Sequence, residues 1–156
     1  MTWTIDEVAY DDDQARSLRR AQRRELDARY GCDDHEPGIP PSADDISVFL
    51  LARRLDGTAI ACGGLRHVKN SVATADAIEI KRMYVVPSAR GSGIATAVLR
   101  ALEDQARRLG STRIVLETGT RQPDAIRFYE REGYKSIPLY GAYIGSDESV
   151  CYSLSL

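Results

Sequence analysis

Residues 79–96 read "EIKRMYVVPSARGSGIAT": an apolar run, Pro87, Arg90, then Gly91 and Gly93 around Ser92, then Ile94, Ala95 and Thr96 opening a helical pattern. This spacing suits the capture of an anion. The first amides of a helix lack partners within it and carry a partial positive charge. Glycine puts no side chain between them and a ligand, and Arg90 adds a cation at the lip. A pyrophosphate fits such a turn. A tight strand-to-helix connection that only needs positive φ would use the same glycines. Strand, proline, arginine, glycines and helix arriving in order favour the ligand.

The turn works only if its flanking elements hold it. Behind it, apolar residues at 94, 95, 98, 99, 102, 106 and 109 predict a helix from Gly93 to Leu109 with one buried face, ended by Gly110. Ahead of it, "DAIEIKRMYVV" is the last of three successive strands. The first two, "ISVFLLARRL" and "AIACGGLRHV", are joined by the hairpin signal "DGT". Residues 2–9 alternate as a first strand, and a helix over 14–30 follows, opened by aspartates and closed by Gly31. Residues 31–45, with glycines, prolines and acids, form a loop. "RIVLET" reads as a buried strand, and "PDAIRFYERE" as a short helix starting at Pro123 and stopping at Gly133. "YKSIPLY" and "SVCYSLSL" are two closing strands. The order predicts an α+β fold in one domain over 1–156: a mixed, mostly antiparallel sheet flanked by helices.

Composition narrows the function. With 43% hydrophobic and 28% charged residues among 156, the chain is of globular type. No apolar run is long enough to span a membrane, and the start lacks the pattern of a signal peptide, so a cytoplasmic protein is expected. Cys32, Cys62 and Cys151 are odd in number and scattered, and His35 and His67 lack ligand spacing, so neither a disulfide framework nor a metal is expected. "RSLRRAQRRELDAR" is read as a solvated helix face and not as a nucleic-acid contact, because the net charge is −2 and acids lie close by.

Two stretches resemble a known family. "VVPSARGSGIATAVLRAL" is similar to the acetyl-coenzyme-A-binding motif of the GNAT N-acetyltransferases, with Arg90, Gly93 and Ala95 at its key positions. "LETGTRQPDAIRFYEREGY" resembles the late motif of bacterial members, through Ala125, Phe128, Tyr129, Gly133 and Tyr134. The resemblance covers residues 79–134. It implies central strands that splay to admit the pantetheine arm, with Met83, Tyr84 and Val85 pairing with that arm and residues 90–96 wrapping the pyrophosphate. Gln122 stands where many members carry Asn. Acetyl-coenzyme A is then the acetyl donor, and a small-molecule or peptide amine the acceptor, in a monomer or homodimer.

The chemistry needs a base for the amine proton and an acid for the departing thiolate. By the resemblance, Glu79 falls where some members place a base, although it reads equally as a strand residue paired with Lys81 or Arg82. Tyr129 falls where the family places the acid, and the Met83 amide is the oxyanion donor. The acids of the loop, Asp33, Asp34, Glu36, Asp44 and Asp45, read equally as a solvated surface loop and as the side of the cleft that would suit a cationic acceptor, with Tyr140 and Tyr143 then as the opposite wall. Glu117 is assigned no role. Two other functions compete: a non-catalytic acyl-coenzyme-A sensor on this fold, and a dinucleotide-binding protein. The second rests on "GSGIAT" after a strand, with Glu117 ending the next one, but it has Thr96 in place of a small residue and too few strand–helix units.

Overall fold

The computed structural model describes residues 2–68 and 76–156. Its strands are β1 (Trp3–Glu7), β2 (Ile46–Arg54), β3 (Ala59–His67), β4 (Ala77–Val85), β5 (Arg113–Gly119), β6 (Lys135–Ile137) and β7 (Ser149–Ser155). The helices are α1 (Asp13–Tyr30), α2 (Ile94–Arg108) and α3 (Pro123–Arg131), with short 3-10 turns at Pro87–Ala89 and Gly141–Tyr143. Asp12 caps α1 by accepting the amides of Gln14 and Ala15 at 3.0 and 3.1 Å. Gly31, at φ 73°, ends it by returning its amide to the Asp27 carbonyl. The expected closing strand over 134–140 shrinks to Lys135–Ile137, since Pro138 offers no amide to continue the pairing. The first strand likewise stops at Glu7.

One sheet of order β1-β2-β3-β4-β5-β7-β6 carries everything. Every neighbouring pair is antiparallel except β4 with β5. A single parallel pair excludes the doubly wound sheet that a dinucleotide fold requires. The mixed, mostly antiparallel sheet expected from the element order is therefore present. α2 and α3 cover one face over the main core, in which Val98, Leu99 and Leu102 meet Ile78, Ile80, Ile114 and Leu116. α1 covers the other face, where Ala15 and Leu18 pack on Phe49, Leu51, Cys62 and Tyr84. Further along that second face, Tyr140 and Tyr143 close over Ala77, Val115 and Cys151.

Two irregularities of β4 make the site. Its pairing with β5 stops after Ala77–Arg113, Ile78–Ile114 and Glu79–Val115, so the two strands part from Ile80 and Leu116 onward. A bulge then interrupts its pairing with β3: Gly64 faces Lys81 but Cys62 faces Tyr84, which leaves Arg82 and Met83 opposite one residue. Arg82 has φ 59°, in the left-handed region that a non-glycine residue rarely enters. Strict alternation would send Lys81 and Arg82 to opposite faces. The extra residue instead puts both on the Glu36 carboxylate, each at 2.7 Å.

Candidate active site

Beside the splay lies a cavity of about 500 Å³. Met83, Tyr84 and Val85 of β4 form one wall, and Arg90, Gly91, Gly93, Ile94, Ala95 and Thr96 form its floor at the start of α2. Gly91 and Gly93 have φ of 76° and 90°, and no atom stands within 4 Å of a side-chain carbon built on either. The glycines therefore serve both purposes considered for them: they make the turn and leave its amides uncovered. Gly93 at the N-cap offers no side chain, and apart from the Ile94 amide, which donates to the Ser92 hydroxyl at 3.4 Å, the first-turn amides of this 15-residue helix have no side-chain acceptor among the described residues. Ser92 is the exception among the expected contacts, since its hydroxyl donates to the Ala89 carbonyl at 2.6 Å and holds the turn. Gln122 and Tyr129, from the start and body of α3, complete the opposite wall.

A second cavity, about 110 Å³, opens on the other side of Met83 and Tyr129 and shares both residues with the first. Tyr129 is 6% exposed, with its ring edge-on to Phe128 and Tyr134. Burial raises its phenol well above the ordinary value, so the proton stays on oxygen. That hydroxyl has no partner among the described residues. Packing thus fixes the ring in the wall that the two cavities share.

Across the smaller cavity stands Glu117 of β5, to which no role was expected. Among the described residues its only hydrogen bond is from the Ser149 hydroxyl at 2.7 Å. Burial holds its carboxyl above the usual carboxylate range, against the opposing pull of Ser149 and Lys81. A charged residue in the apolar strand "RIVLET" was the one signal that marked it. The neighbouring Gly119 answers to a close approach: a side-chain carbon there would overlap the Tyr30 hydroxyl and lie 2.8 Å from its Cζ. Tyr30 in turn stacks on His35, ring centres 4.9 Å apart, and His35 bonds Asp27 at 2.8 Å.

Several expectations for the acceptor side are corrected. Glu79 lines neither cavity and is 4% exposed. One oxygen takes Arg66 at 3.0 and 3.2 Å, and the other takes the Tyr140 and Tyr143 hydroxyls at 2.6 and 3.1 Å. A carboxylate so occupied has no lone pair aimed at a substrate, and its ion-pair partner is Arg66, not Lys81 or Arg82. Tyr140 and Tyr143 accordingly serve Glu79 and do not wall the cleft. Of the loop acids, Glu36 reaches the smaller cavity, but Lys81 and Arg82 neutralise it. Burial alone would raise the Glu36 carboxyl; those two cations bring it down to about 2. Asp45 pairs with Arg66.

Gln22 of α1 gave no sequence signal at all. Its amide nitrogen donates to the Met83 carbonyl at 2.9 Å, while its oxygen is buried with no partner among the described residues.

Known proteins agree with this geometry. The sequence is 38% identical to an IAA acetyltransferase of Azospirillum brasilense over 96 residues, 61% of this chain but only 59% of that relative. The fold matches the crystal structure of a Klebsiella pneumoniae protein assigned to the acyl-CoA N-acyltransferases, with TM-score 0.80 and 27% identity, over 99% of this chain and 97% of that one. It also matches a PaiA N-acetyltransferase of Thermoplasma acidophilum solved with coenzyme A, at TM-score 0.70 and 18% identity, over the whole of both chains. Residues 10–134 match the family described as Acetyltransferase (GNAT) family, and with the splayed strands and the open start of α2 this shows that the chain belongs to the GNAT acetyltransferases.

Proposed function

We propose that this protein moves an acetyl group from acetyl-coenzyme A to a primary amine, with Glu117 as base and Tyr129 as acid. The carrying observation is that a phenol with no hydrogen-bond partner and a carboxylate with no ion pair, both among the described residues, line the same cavity beside the splay. The cofactor cleft fits the donor: uncapped amides for a pyrophosphate, then an opened strand edge for an extended arm. Acetyl-coenzyme A supplies a thioester, and every other part of the chemistry is assigned to side chains and backbone of the chain.

Glu117 takes a proton from the incoming ammonium, whose ordinary pKa near 10 leaves it charged at neutral pH. A carboxyl raised by burial is better matched to that task than a fully solvated one. Met83 offers its amide to the carbonyl oxygen. The preceding Arg82 carbonyl accepts from the Cys62 thiol at 3.4 Å, so the planar trans peptide aims the Met83 N–H away from β3. Glu117 passes the ammonium's first proton to solvent and takes a second from the nitrogen as the C–N bond forms. Tyr129 donates its proton to the sulfur as the C–S bond breaks and recovers one from Glu117 through solvent, so each turnover releases one proton. A phenol raised by burial remains a competent acid here, because burial also strengthens a thiolate as a base. The buried Cys62 thiol of this chain is itself pushed up to about 12.

The acceptor is a small-molecule or peptide amine, and it is not carried over from the relative's name. Three unpaired cysteines, one exposed and two buried, suit a reducing cytoplasm. The test is acetyl-coenzyme A binding by thermal shift, followed by thiol release on a panel of amines. A donor at 100 times its Kd should add about 2.7 kcal/mol of stability. Binding with no amine-dependent thiol release would leave a sensor in place of an enzyme.

A further inference from the structure

A third cavity, about 230 Å³, lies between α1 and the bulge of β4. Arg16, Arg19, Arg20 and Arg23 fall at i, i+3, i+4 and i+7 and share one face of α1. Arg82 reaches the same space from the bulge, and no carboxylate lines it. Its cations are unevenly neutralised. Arg23 pairs with Asp27 and Arg82 with Glu36. Arg16 and Arg19 donate only to the neutral carbonyls of Asp11 and Tyr10, and Arg20 has no partner among the described residues. A bare solvated helix face would not enlist a residue from the sheet.

This cavity shares Gln22, Leu26, His35 and Arg82 with the acceptor cavity, and Gln22 and Leu26 line the cofactor cleft as well. Gln22 therefore stands at the junction of all three, and its side-chain oxygen is buried with no partner among the described residues. A buried acceptor left unsatisfied is costly, and a small rotation of the Gln22 side chain toward a bound N–H donor would remove that cost. An amine brings that donor. Of the loop acids, Glu36, which reaches the acceptor cavity, and Asp45 are already held by Lys81, Arg82 and Arg66.

We infer that the acceptor is a small amine carrying an oxyanion: the amine lies by Gln22 and Glu117, and a carboxylate, phosphate or phosphonate lies among Arg16, Arg19, Arg20 and Arg82. Guanidinium forks match the planar or tetrahedral oxygens of such groups. The inference rests on the transferase reading above.

The test compares β-alanine, γ-aminobutyrate and their phosphonate analogues with propylamine and butylamine as acceptors, by thiol release. The charged member of each pair should have at least a tenfold higher kcat/KM, with the advantage shrinking as salt is added. Comparing carboxylates with phosphonates separates the two oxyanion sources. Arg20→Ala should narrow the gap between charged and neutral acceptors about tenfold through KM. Arg20 has no partner to lose among the described residues, and a melting temperature checks the fold. Arg108→Ala removes one exposed charge elsewhere on α2 and should leave the gap as it was. Equal use of charged and neutral amines, or equal narrowing by both substitutions, overturns the inference while the transferase reading stands. Absence of thiol release with every amine overturns that reading and this inference with it.

Discussion

Replacing Tyr129 by Phe deletes one hydroxyl and keeps the ring between Phe128 and Tyr134, at centroid distances of 5.2 and 5.6 Å. That hydroxyl bonds nothing among the described residues, so no hydrogen bond is lost on substitution. The stability change should stay within about 0.5 kcal/mol, the range of a substitution that breaks no contact. For a chain of this size that is at most about 2 °C in melting temperature. Turnover is different, because general acid catalysis contributes roughly 100- to 10,000-fold. The variant should therefore lose about 2.7–5.5 kcal/mol of barrier lowering at unchanged acetyl-coenzyme A affinity. The assay is initial-rate thiol release at saturating acetyl-coenzyme A, with binding followed by thermal shift. An aryl thioester, whose leaving group needs less protonation, should narrow the gap between variant and parent. Parent-like turnover with acetyl-coenzyme A would remove the phenol from the mechanism. A large fall in melting temperature would show that the hydroxyl has a structural partner instead.

Glu117→Gln should lower kcat/KM most near neutral pH and recover partly at high pH, where free amine is plentiful; Glu79→Gln should instead leave the pH profile alone and destabilise by about 1–3 kcal/mol, since Arg66 keeps Asp45 while it and the two tyrosine hydroxyls lose a charged acceptor. Glu36, lowered from 4.5 to about 2, contributes on the order of 3 kcal/mol that is fully present above pH 4.5 and lost as pH falls toward 2. Glu36→Gln should flatten that part of an acid-unfolding curve, and an unchanged curve would show that the Lys81–Glu36–Arg82 group is not coupled to folding. Gly119→Ala should push Tyr30 into the acceptor cavity and raise the acceptor KM severalfold, with acetyl-coenzyme A binding unaltered; a parent-like acceptor KM would mean that Tyr30 swings clear.

What could be read along the chain is what local rules govern. The 90–96 turn is contiguous, and its glycines, arginine and following apolar period all lie within one stretch, so the start of α2 was recognisable as an anion site without any tertiary knowledge. Asp12, Gly31, Pro123 and Gly133 marked helix ends for the same reason: capping and left-handed turns depend on the nearest few residues. The partners of charged groups are another matter. Glu79 turned inward because Arg66 is its neighbour across β3 and two tyrosines arrive from sixty residues downstream, a pairing set by strand register. Arg82 and Met83 acquired their directions from a bulge that costs backbone strain and leaves no composition signal, and that bulge also decided that Glu36 would be neutralised. Glu117 faces the cleft because β5 parts from β4 two residues before it, and Gln22 reaches the junction only because α1 lies across the opposite face. Periodicity and turn chemistry are encoded over a few residues; which carboxylate stays free to take a proton depends on what the whole sheet brings beside it.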